Sequence, residues 1–94
     1  MIRSINPFEA ICAGETVSFE AEVTGVEEGF AIVWGDKYMR FVDVDSEHYS
    51  LSENKTVLTI NNALPPHAGI YFAHLNLTGI LVTYTVFYLD VHGI

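Results

Sequence analysis

From Val17 the chain alternates residue by residue, with Val17, Phe19, Ala21 and Val23 apolar and Ser18, Glu20 and Glu22 polar between them. A period of two gathers the apolar set on one side of an extended strand; no helix can collect it into a single stripe. Residues 17–23 therefore read as a half-buried strand, bounded by turn signals at Gly14-Glu15 and at Gly25. Further strands are predicted over 30–35, which carries the only tryptophan, Trp34, and over about 48–52. Three more are predicted over 56–61, with Leu58 and Ile60 on the buried side, over 70–77 and over 81–91. Glu53-Asn54 and Thr78-Gly79 are turn dipeptides. Leu64-Pro65-Pro66-His67-Ala68-Gly69 reads as a turn that neither a helix nor a central strand could hold. The first dozen residues read as an edge strand kinked at Pro7. Some seven short strands spaced by turns, with no amphipathic helix, predict an all-β, two-sheet sandwich.

Ninety-four residues are enough for one small domain, taken here as 1–94. Half of them are hydrophobic, which offsets the ordering entropy and excludes a disordered tail. Twelve acidic against four basic residues give a net charge of −8, so nucleic acid and anionic membranes are rejected as partners. Membrane insertion is not expected either. The longest apolar stretch, 80–88, is interrupted by Thr83 and Thr85 and falls short of the roughly 20 residues a helical span needs. Met1-Ile2-Arg3-Ser4 lacks the apolar run of a signal peptide. A single cysteine, Cys12, cannot form an internal disulfide, which favours a reducing, cytoplasmic compartment. Cys12 itself reads as a small buried hydrophobe.

Several spaced elements are specific enough to name a family. Gly14-Glu15-Thr16-Val17-Ser18-Phe19, Trp34, Leu58-Thr59-Ile60-Asn61-Asn62-Ala63 and Ala68-Gly69-Ile70-Tyr71 together resemble an immunoglobulin domain of the intermediate (I) set. The resemblance covers nearly the whole chain. It implies an immunoglobulin-like Greek-key sandwich with strands lettered A to G. Gly69-x-Tyr71 looks like the tyrosine corner, and Trp34 sits where the family keeps its core tryptophan on strand C. The structural residues implied are Trp34, Tyr71, Ala21, Ala73, Leu58 and Gly69.

The departures from the family are informative. Its two disulfide cysteines fall at Ala21 and Ala73, so the inter-sheet bridge is absent. Such a bond contributes roughly 2–5 kcal/mol to a small secreted domain. Its loss resembles domains of large muscle proteins of the titin, twitchin and obscurin type. At the corner, His67 stands where the family usually has Asp, and His48 where it has the paired Arg. The simplest reading is two neutral imidazoles, one donating to the other or both facing water. A pH sensor or a metal site is the functional alternative.

Catalysis finds no foothold: the one cysteine has no adjacent base, and no nucleophile elbow, phosphate loop or zinc motif is present. No enzyme activity and no cofactor are expected. Asp43, Asp45 and Glu47 offer hard oxygen ligands for calcium but lack an EF-hand's glycine and distant Glu, so they read as a solvated acidic loop. Asn54-Lys55-Thr56 and Asn76-Leu77-Thr78 match the N-glycosylation sequon and support an alternative, an extracellular adhesion or receptor-type domain, host or viral.

Side chains alternate in direction along a strand, and the family resemblance implies which set turns inward. On 70–77, Tyr71, Ala73 and Leu75 point inward and Ile70, Phe72, His74 and Asn76 outward; on 81–91, Phe87, Leu89 and Val91 point inward and Val82, Tyr84, Val86 and Tyr88 outward. On 30–35, Val33 points outward between Ile32 and Trp34. In the family, strands C, F and G share a sheet, so the resemblance implies an outer face of Val33, Phe72, His74, Tyr84, Val86 and Tyr88 with almost no charge. Ser18, Glu20, Glu22, Thr59 and Asn61 face water on the other sheet. A contiguous apolar patch marks a binding site. The expected function is a non-catalytic interaction or spacer module of a larger cytoskeletal or muscle protein. It would contact neighbouring domains, a partner protein or a second copy through this face.

Overall fold

The computed structural model describes residues 1–26 and 28–93. The described strands are β1 (Ile2–Ser4), β2 (Phe8–Cys12), β3 (Val17–Val23), β4 (Phe30–Gly35), β5 (Tyr49–Leu51), β6 (Val57–Ile60), β7 (Gly69–Leu77) and β8 (Ile80–His92). They form two four-stranded sheets, ordered β1-β3-β6-β5 and β2-β8-β7-β4. Every pairing is antiparallel except β2 with β8.

The kink at Pro7 divides the N-terminal segment between the two sheets: β1 pairs with β3, and β2 with β8. Proline has no N–H to give a ladder, and the chain changes sheets there. Asn6 stitches the crossing. Its Oδ1 accepts the Glu20 N–H at 2.8 Å, while its Nδ2 donates to Ser18 O at 2.7 Å and Glu9 Oε2 at 3.0 Å.

The core lies between the inward faces. Phe19, Leu58, Ile60, Ala73, Leu75, Phe87 and Leu89 are fully buried, and Ala21, Trp34 and Tyr71 nearly so. Phe87 stands between Phe19 and Trp34, with ring centroids 5.0 and 5.3 Å away. The two alanines at the would-be disulfide positions are thus part of an aromatic-filled core. The indole N–H of Trp34 donates to Lys55 O at 2.8 Å, so the largest core side chain leaves no polar atom unmet.

Two expectations are corrected. Pro65–His67 form one turn of 3-10 helix rather than a helix-free turn. Both prolines occupy its opening positions, where a missing N–H costs no intrahelical bond. Cys12 is exposed, not buried. It ends β2 opposite His92, on the outward side of the sheet.

Candidate functional site

The outer face of the β2-β8-β7-β4 sheet is built by cross-strand rows, because directly paired residues point the same way. The pairing Val33↔His74↔Tyr84 makes one row, Gly35↔Phe72↔Val86 the next, and Ile70↔Tyr88↔Phe8 a third. Phe72, His74 and Tyr84 form a mutual cluster with ring centroids 5.7–5.8 Å apart. Phe8 and Tyr88 stack at 5.6 Å, with ring planes 4° apart. Tyr84 is 56% exposed, Tyr88 45% and Val86 44%, whereas Val33, Phe72 and His74 are half-buried between them.

The structure therefore brings the six sequence-derived face residues together on one sheet. A bulge does occur in β8, where Leu75 pairs with Thr83 but Asn76 with Leu81. It falls at Val82, beyond Tyr84, and so does not re-phase the tyrosines.

Two further aromatic residues extend the patch. Phe8, 58% exposed, reaches it only through the parallel pairing of β2. Phe41, 80% exposed, joins through an isolated bridge to Gly35, which lies at the end of the Phe72 row. Pro7 was the sequence signal for Phe8, since a kinked edge segment can change sheets. Nothing in the sequence pattern marks Phe41.

The other sheet has a different outer surface. Ser18 and Thr59 hydrogen-bond across β3 and β6 at 2.9 Å, and Arg3 pairs with Glu22 at 2.6 Å. Polar ladders of this kind satisfy themselves and leave no continuous apolar ground.

The remaining sequence candidates fall elsewhere. Asp43 Oδ1 accepts the Asp45 N–H at 3.0 Å, which closes a local turn within the acidic loop. Among the described residues no three His, Cys, Asp or Glu side chains converge as a metal ion requires. A cleft of about 280 Å³ lies beside the tyrosine corner and includes Asp36, Lys37, Arg40, His67 and Tyr71. Its cations are already engaged. Lys37 Nζ donates to Pro66 O and Ala68 O, and Arg40 lies 3.5 Å from Asp36 and over the Tyr38 ring.

At the corner, Tyr71 Oη donates to His67 O at 2.6 Å and lies 3.3 Å from Tyr49 Oη. Burial, and then the Tyr49 hydroxyl, push the Tyr71 phenol far above its ordinary range, so it stays a donor. His48 and His67 meet with ring centroids 4.5 Å apart.

No protein-family model matches the chain, and no curated protein sequence does. Solved structures do match. Chains from two crystal structures of a complex between titin and an immunoglobulin domain of obscurin-like 1 superpose with a TM-score of 0.72 at 16% identity. They cover 99% of this chain, and 94% and 95% of the matched chains. The IG27 protein domain superposes with a TM-score of 0.73 at 19% identity, over 100% of both chains. The chain thus has the immunoglobulin-like sandwich fold and resembles titin-type domains in architecture, without the inter-sheet disulfide. Among the described residues no helix is long and apolar enough to cross a membrane.

Proposed function

We propose that this domain is a non-catalytic protein-interaction or spacer module of a larger protein of the cytoskeletal or muscle type, and that it docks through the outer face of the β2-β8-β7-β4 sheet. One observation carries the reading: this face gathers Phe8, Phe72, His74, Tyr84, Val86 and Tyr88, whereas the opposite face is a polar ladder. Aromatic residues held in rigid strands supply apolar contact area at little entropic cost, and Tyr is enriched at binding hot spots. The likeness to chains from a titin–obscurin-like 1 complex supports protein as the partner class and the sarcomeric cytoskeleton as the setting. A neighbouring domain, a separate protein and a second copy are all occupants of that class.

A photo-crosslinking residue placed at position 84, with one at position 20 on the other sheet as control, tests the assignment in cells. Discrete protein adducts are expected from position 84 and not from 20. Equal adducts from both, or none from 84, would sink it.

A second reading has its own observation. Asn54 is exposed on a turn between β5 and β6, and its sequon hydroxyl, Thr56 Oγ1, donates to Asn54 Oδ1 at 2.8 Å. Asn76 is half-buried and holds the Gly79 N–H at 2.8 Å. An extracellular domain would carry glycan at Asn54 first. Expression through a secretory pathway followed by intact-mass measurement decides it, and an unmodified mass would remove this reading.

A further inference from the structure

We propose that His67, its ring facing that of His48, makes the tyrosine corner an acid-sensitive latch, closed when the His67 ring is neutral and loosened when it is protonated.

The hydrogen bonds fix where each ring carries its proton. His48 Nδ1 lies 3.0 Å from the Asn61 carbonyl, which can only accept, so His48 carries its hydrogen on Nδ1. His67 Nδ1 receives the Leu64 N–H at 2.9 Å and must offer a lone pair there, so its hydrogen sits on Nε2. Protonation therefore affects the two rings differently. His48 gains a proton on Nε2 and keeps its bond. His67 can gain one only on Nδ1, where it meets the Leu64 N–H and breaks the bond that caps the 3-10 turn.

The balance of the surroundings lies in the same direction. Burial of His67, then the His48 ring, hold its pKa below the ordinary imidazole value; the Leu64 backbone raises it, and the smaller effect of Lys37 lowers it again. Lys37 Nζ already sits on the carbonyls of Pro66 and Ala68 in the same turn. A proton on His67 thus adds a second cation to the short segment that Lys37 already holds.

The other facing groups offer little relief. Tyr49, edge-on to His67 at 5.9 Å, and Tyr71 are neutral phenols, and Asp36 caps its own turn by accepting the Tyr38 and Arg40 N–H groups. On β8, which meets the turn where Gly93 approaches Pro65, Asp90 and His92 pair with each other at 3.1 Å. Glu47, beside His48 in sequence, is exposed.

A folded-state pKa below the unfolded one means that the unfolded chain takes up its proton first as pH falls. The stabilisation is complete above the unfolded histidine value of about 6.5 and is lost as pH drops towards the folded value. Within that window the folding equilibrium constant falls by up to about tenfold per pH unit on account of His67 alone. The latch secures the residues that open β7, the strand bearing Phe72 and His74.

The test is an NMR pH titration of the wild-type domain together with urea unfolding at about pH 7.5 and about pH 5, either side of the histidine range. His67 is expected to titrate below its value in urea, with the Leu64 amide shift following the same midpoint. His67→Gln keeps an acceptor at the capping position without a titrating group. It is expected to lose less stability than wild type between the two pH values. His48→Gln is expected to move the His67 midpoint upwards. The proposal is overturned if His67 titrates at or above its unfolded value, or if His67→Gln loses as much stability in acid as wild type. The wild-type titration decides the matter even if a variant does not fold.

Discussion

Trp34 and Tyr71 each solve the same problem, a large ring in the core with a polar atom that must not be left dry. The tryptophan uses Lys55 O, which a left-handed backbone at Lys55 (φ 62°) turns towards the indole. The tyrosine uses His67 O and the Tyr49 hydroxyl. An unsatisfied buried partner costs about 1–3 kcal/mol. Tyr71→Phe is therefore expected to lower stability by about that amount in urea unfolding, with the core otherwise retained. A loss below about 0.5 kcal/mol would show the corner to be dispensable. Ala73 is fully buried beside its paired residue Trp34, so Ala73→Leu overpacks the core and is expected to cost about 1–3 kcal/mol in the same assay. Trp34, Tyr71 and the two alanines were legible through the family resemblance. The lysine that answers the indole was not, because no local pattern marks a lysine for positive φ.

Strand identity was local information, and the period of two placed the ends of β3, β4 and β7 within a residue of where they lie. Connections carried less of it. Thr78 and Gly79 (φ 51° and 87°) both take positive φ between Leu77 and Ile80, the handedness that matches the strand twist in a two-residue hairpin. A Cβ on Gly79 meets nothing within 4 Å, so the backbone conformation alone resists a side chain there. Gly79→Ala is expected to cost about 1–2 kcal/mol by the left-handed penalty, read as a shift in the urea midpoint. The crossing at Pro7 depends on a side chain. Asn6→Ala removes three hydrogen bonds, and faster amide exchange is expected in β1 and β2 than in β6 and β7. Uniform protection across all four strands would assign the crossing to Pro7 alone.

At the scale of the molecule, charge and apolar surface are segregated. The net charge of −8 disfavours contact between copies, yet the candidate face brings almost no charge to a contact. Any self-association through it is expected to strengthen as salt rises from about 0.01 to about 0.1 M, because screening shortens from about 30 to about 10 Å. Sedimentation equilibrium reads this directly; association that weakens with salt would place charged groups at the contact instead. Tyr84→Glu is expected to abolish association while changing unfolding stability by no more than about 1 kcal/mol, the scale of an exposed cross-strand pair. A variant that associates as wild type does would remove the face from the contact.

The sequence by itself determined the all-β class and the strands, because alternation is a property of neighbouring residues. It also carried, through the family resemblance, which side of each strand turns inward, the missing disulfide and the two histidines at the corner. The resemblance also implied that the strands carrying Val33, Phe72 and Tyr84 share a sheet; only the tertiary structure decided how the first dozen residues and Phe41 join it. That choice places Phe8 in the sheet of β8 by a parallel pairing, links Phe41 to Gly35, and leaves Cys12 at the surface. It also sets the His48 and His67 rings 4.5 Å apart with their Nδ1 atoms committed to different backbone groups. Such contacts join residues far apart in the chain, and they depend on register and crossing points that no local periodicity encodes.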